Sequence, residues 1–149
     1  MNRATGLLAI LLATASAESA ERQVIPLWAD SEMPYAKSHT VEEYQDDNCW
    51  GGVPCVLQIA IPTLSLYLPD GDVNGMAVVI LPGGGYQAEA VYHEGYDIAE
   101  SLAAQGTVAA VLKYRLPSPE TATKPWRVPE VDVREALRLL RKDQSALGF

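Results

Sequence analysis

Met76-Ala77-Val78-Val79-Ile80-Leu81-Pro82-Gly83-Gly84-Gly85-Tyr86 is the stretch on which the fold of this chain turns. Its first six residues are apolar without alternation, the pattern of a strand covered on both faces of a sheet. Proline and three successive glycines then stop the strand abruptly. From about Tyr92 to Gln105, Ile98, Leu102 and the surrounding alanines recur at helical spacing, and Gly106 suits a helix C-cap. Thr107 to Leu112 repeats the buried-strand pattern. A proline-rich loop follows from Leu116 to Pro129. A second helix is expected from about Glu130 to Ser145, with Val133, Leu137 and Leu140 on one stripe. Strand, glycine loop, helix, strand, loop, helix predicts an α/β fold of parallel strands joined by crossover helices.

Upstream the pattern changes. Thr63-Leu64-Ser65-Leu66-Tyr67-Leu68 alternates polar and apolar and predicts a half-exposed strand, followed by a turn at Pro69-Asp70-Gly71-Asp72. Residues 21–54 show no period and read as an irregular arm or cover. Within them Cys49 and Cys55 bracket Trp50-Gly51-Gly52-Val53-Pro54, a segment of turn-formers that lets its ends meet. A bridge there would close a short loop worth about 2 kcal/mol in an oxidising compartment. Two unpaired thiols are the alternative. The spacing matches neither a zinc ligand pair nor a redox pair.

The first residues differ from all of this. Arg3, an apolar run from Gly6 to Ala13 and Ala15-Ser16-Ala17 occur in the order of a secretory leader, with a core helix as the alternative. The expected organisation is therefore a signal peptide at 1–17, an N-terminal arm at 18–61 and an α/β domain at 62–149, in a periplasmic or secreted protein. The 149 residues are 48% hydrophobic and 20% charged, an ordinary globular profile, and the formal net charge of -8 disfavours nucleic acid and anionic membranes as partners.

Glycines at the carboxyl end of a buried strand carry the chemistry. Ligands of open α/β sheets sit at such ends. Glycine lets a reacting group approach backbone N–H donors closely, and two fixed donors stabilise the oxyanion of an acyl-transfer intermediate. A plain turn and a phosphate-binding loop are the competing readings. The absence of G-x-G-x-x-G and G-x-x-x-x-G-K-[ST] weighs against phosphate. Of the two histidines, His39 falls in the polar arm and is expected in solvent. His93 and Asp97, four apart on a helix, share a face but lack the third ligand of a metal site, so no metal and no cofactor is expected. Arg115 invites an ion pair with Glu94 or Asp132.

Three motifs in order, Leu81-Pro82-Gly83-Gly84-Gly85-Tyr86, His93-Glu94-Gly95-Tyr96-Asp97-Ile98-Ala99 and Val111-Leu112-Lys113-Tyr114-Arg115-Leu116-Pro117, resemble the secreted carbohydrate-esterase-like α/β-hydrolases. These are the acetylxylan-esterase-like, xylanase-associated esterases. Asp132 with Arg134 to Arg138 looks like the helix that follows in that family, and the resemblance runs from Pro62 to Phe149. It implies a Ser-His-Asp esterase acting on acetylated carbohydrate. Gly83, Gly84, Gly85 and Tyr86 would form the oxyanion loop, Gly84 and Gly85 supplying the donors, with His93 and Glu94 bracing it. Pro82 stands where the related H-G-G-G loop has histidine. No serine here lies in G-x-S-x-G, and the triad acid and base follow the serine in chain order, so the chain reads as an N-terminal half that stops before the nucleophile elbow. A non-catalytic carbohydrate-binding or interaction protein derived from a hydrolase is the competing function, with Trp28, Trp50 and Trp126 as the residues able to stack on sugars.

Overall fold

A computed structural model describes residues 22–29 and 32–149. The expected leader at 1–17 lies outside them. Among the described residues, seven strands form two sheets: β1 Arg22–Pro26, β2 Tyr44–Cys49, β3 Val53–Leu57, β4 Thr63–Tyr67, β5 Ala77–Ile80, β6 Ala88–Glu89 and β7 Val108–Lys113. The helices are α1 Asp97–Ala103, α2 Val128–Lys142 and the short α3 Gln144–Leu147; a π-helical turn at Tyr92–Tyr96 leads into α1.

The larger sheet has the order β1-β4-β7-β5. Only β5 and β7 run parallel; β4 is antiparallel to both β1 and β7. The expectation of an all-parallel sheet is thus corrected to a mixed one. The physical reason is local: the turn at 69–72 and the length before β5 leave β4 free to pair antiparallel with β7, whereas the α1 connection returns β7 parallel to β5.

Burial also departs from the strand patterns. Ser65 and Tyr67, the residues expected to face solvent, are 2% and 1% exposed, and the Tyr67 ring lies against Tyr96 with centroids 6.2 Å apart. The turn before α1 covers that face of β4. Conversely Met76, Val78 and Leu81 are exposed, because β5 is the outer strand of the sheet among the described residues. An unbroken apolar run reads alike in a central strand and an outer one. β7 meets the expectation, with Val108 to Leu112 all buried.

Residues 21–54, read as irregular, contain β1, β2 and the start of β3. β1 joins the main sheet beside β4, and β2 pairs with β3 in a hairpin that β6 extends. Tyr44-Gln45-Asp46-Asp47-Asn48 is almost wholly exposed, so pairing and a covalent link hold β2 rather than an apolar face. Period therefore had nothing to report. The structure joins Cys49 to Cys55 across this hairpin, their Cα atoms 6.0 Å apart.

One core binds these pieces. Leu64, Val111, Leu112, Ala99, Ala136 and Leu140 belong to a single buried cluster drawn from β4, β7, α1 and α2. Small residues on β7 and α1 let helix and sheet approach closely. Among the described residues no helix is long and apolar enough to cross a membrane.

Candidate functional site

The glycine loop leaves the carboxyl end of β5 and is fixed from several sides. Pro82 is buried, and its carbonyl accepts a hydrogen bond from the Tyr114 hydroxyl at 2.8 Å. The Gly83 N–H donates to Glu94 Oε2 at 2.7 Å. The Gly83 carbonyl accepts from the Ala90 N–H at 2.9 Å, and the Gly84 carbonyl from the Gln87 N–H at 3.1 Å. Every anchor uses a carbonyl or the first N–H. Among the described residues, the N–H groups of Gly84 and Gly85 find no acceptor.

Gly84 is required by this geometry. Its φ is +145°, and a Cβ there would lie 1.9 Å from the Ala88 carbonyl oxygen. No side chain fits without moving the backbone. Gly95 serves a different need, a close approach: a Cβ would come within 2.8 Å of Val111 and 3.1 Å of Pro82. Its bareness lets the turn before α1 sit directly on β7 and on the start of the loop.

The remaining site residues divide. Glu94 reaches the loop, as just described. His93 does not; its Nε2 lies 3.7 Å from Glu94 Oε1, and both side chains are about half exposed. Tyr86, at φ +61°, turns its ring outward and meets Tyr114 and Trp126 edge-on with centroids 6.2 and 6.0 Å away. His39, expected in solvent, is half-buried, its Nδ1 enclosed and without a partner among the described residues. The arm folds back over the chain there rather than trailing into water. Among the described residues no three His, Cys, Asp or Glu side chains group as metal ligands would.

Arg115 pairs with Asp132, not Glu94. Its Nη2 lies 2.7 Å from Asp132 Oδ1, with both side chains buried, and its own N–H donates to Oδ2 at 3.0 Å. Trp28 Nε1 donates to the same carboxylate at 2.8 Å, and Arg115 Nη1 donates to the Pro34 carbonyl. This cluster ties the segment after β7, α2 and the N-terminal segment together.

One residue escaped the sequence reading altogether. Glu89 is fully buried directly after the loop, its Oε1 accepting from the Tyr114 N–H at 2.8 Å and its Oε2 unpartnered among the described residues. Burial pushes its carboxyl well above the usual range, outweighing the Tyr114 N–H and Lys113, which favour the charged form. The only sign in the sequence is a lone acid between Ala88 and Ala90. Burial likewise raises the Tyr114 hydroxyl, so it stays a neutral donor to Pro82.

Comparison with known proteins bears on this geometry. The backbone is similar to that of an acetyl ester-xyloside bifunctional hydrolase from Caldicellulosiruptor lactoaceticus, with a TM-score of 0.58 at 25% identity over 90% of this chain and 41% of that one. The fold is thus one found among α/β-hydrolase esterases. In sequence, 75 residues are 36% identical to an acetylxylan esterase of Xylanibacter ruminicola, a match covering 50% of this chain and 14% of that protein. Both likenesses support a carbohydrate-esterase-like α/β-hydrolase. No family model matches the chain. The chain spans well under half the length of either relative.

Proposed function

We propose that this chain carries the oxyanion-stabilising part of a carboxylic ester hydrolase that removes acetyl groups from plant polysaccharide or oligosaccharide. The observation that supports it most is the pair of adjacent N–H groups, Gly84 and Gly85, left without acceptors in a loop whose other polar groups are tied down. Donors held in place before the reaction cost no reorganisation when charge develops on the carbonyl oxygen. In this reading a serine, activated by a histidine that an aspartate orients, attacks the ester carbonyl. The loop receives the resulting oxyanion. Nucleophile, base and acid lie outside these 149 residues, since no serine here sits in G-x-S-x-G. No cofactor takes part.

The protein is proposed to act in the periplasm or outside the cell, on the order of Arg3, the apolar run and Ala15-Ser16-Ala17. N-terminal sequencing of exported protein should begin near residue 18; recovery of intact Met1 outside the cytoplasm would refute export by cleavage.

The esterase reading is tested on the chain expressed together with the coding sequence that continues its frame. That protein should release acetate from acetylated xylooligosaccharides, and Gly84→Val should lower kcat by roughly 10²–10³-fold, the scale of one lost oxyanion donor. A folded Gly84→Val variant with unchanged kcat would remove the loop from the mechanism.

A further inference from the structure

Beside the glycine loop lies an open cleft of about 440 Å³ whose lining includes Trp50, Gly84, Gly85, Gln87, His93 and Glu94. One wall is an indole, Val53 and Ala90 add apolar surface, and the glycine amides and polar side chains complete the rim. Trp50 is 57% exposed. Its ring nonetheless stands against the loop, since a Cβ on Gly84 would come within 3.2 Å of Trp50 Cη2.

The backbone presents Trp50 at a cost. Its φ is +45°, a left-handed conformation that a bulky residue rarely adopts. Such strain persists only where the surroundings enforce it, and it gathers at binding sites. Here the enforcing element is the β2–β3 hairpin, closed by Cys49–Cys55 around the turn that holds Trp50. A large exposed apolar ring, fixed by a covalent clip beside open N–H donors, is poorly explained by packing.

The other exposed tryptophan has different company. Trp126 is 74% exposed and meets Tyr86 edge-on, in a cleft lined also by Leu81, Tyr114, Glu130 and Val133. That lining includes neither Gly84 nor Gly85 and so holds none of the open glycine N–H donors. The Trp50 cleft combines an apolar face with hydrogen-bonding groups at its rim, which is the chemistry of a pyranose ring with its C–H face and equatorial hydroxyls.

We propose that Trp50 is a stacking platform for a pyranose ring of the substrate, selecting carbohydrate esters by seating the sugar so that its acetyl group lies over Gly84 and Gly85. This rests on the ester-hydrolase reading for its substrate, but not for its test. The 149-residue chain is titrated with unacetylated xylotetraose while the tryptophan indole signals are followed by NMR. Saturable binding is expected, with the Trp50 signal shifting. Trp50→Ala should weaken binding by about tenfold or more, Trp50→Phe by less, and Trp126→Ala should leave it unchanged. Reduction of Cys49–Cys55 should weaken it as well. Absence of saturable binding, or equal affinity in Trp50→Ala, overturns the proposal. Trp50-dependent binding without ester hydrolysis by the extended protein would defeat the esterase reading alone. Ester hydrolysis with the KM for acetylated xylooligosaccharide unmoved in Trp50→Ala would defeat the platform alone.

Discussion

Glu89 is a carboxyl group sealed beneath the glycine loop, and its ionisation opposes folding. Around it stand the Tyr114 N–H and Lys113, which favour the charged form, and Glu43 and Asp132, which disfavour it; burial outweighs them all. Because its folded pKa is raised, the folded chain holds a proton that the unfolded chain releases above about pH 4.3. Stability from this group is therefore complete below that pH and is lost as pH rises towards the raised folded value. The melting temperature should fall across this window, and Glu89→Gln should flatten the fall while keeping an acceptor for the Tyr114 N–H. A pH profile identical in both proteins would show that Glu89 ionises freely. Nothing in the spacing of Gln87-Ala88-Glu89-Ala90 announces this role, because burial of a lone acid is decided by the β3–β6 pairing that carries it inward. The glycines were different. Three in succession after an apolar run announce a backbone feature, and Gly84 could be no other residue.

Strands and helices differ in how far pattern alone reveals them. α2 was legible as a helix, but its stripe only in part: Leu140 is buried and Val133 packs against the core, while Leu137 is only half-buried and Asp132, Glu135 and Ala136 are buried instead. β7 was legible, its apolar run being buried from Val108 to Leu112. β2 was not, being polar on both faces, and the direction of β4 is set by a partner nearly fifty residues away. Between elements, the contact with the largest expected energy is the Arg115–Asp132 pair joining the segment just after β7 to α2. Removing one member leaves the other buried and uncompensated, which costs about 3–5 kcal/mol. Asp132→Ala should lower unfolding stability by that amount in denaturant melts, and the Trp28 indole N–H would lose its acceptor with it. A loss under 1 kcal/mol would mean that water reaches Arg115 and replaces the carboxylate.

At the scale of the whole molecule, a mixed sheet places a braced glycine loop at a strand's carboxyl end, and a disulfide-closed hairpin stands beside it. The glycine loop could be read from the sequence because the conformation at Gly84 is a backbone requirement, local in sequence. The cleft could not, since Trp50 and Gly84 are brought together only by the fold. Oxyanion donors without an attacking group do not make a catalyst, because acyl transfer needs a nucleophile activated by a base. The second donor of such a hole also comes from the N–H after that nucleophile in α/β-hydrolases. The most direct test is p-nitrophenyl acetate hydrolysis by the 149-residue chain, before and after replacing its serines one at a time. The account predicts no saturable turnover above background in any of these proteins. Saturable turnover abolished by mutating a single serine would contradict it, placing a complete nucleophilic site within these residues.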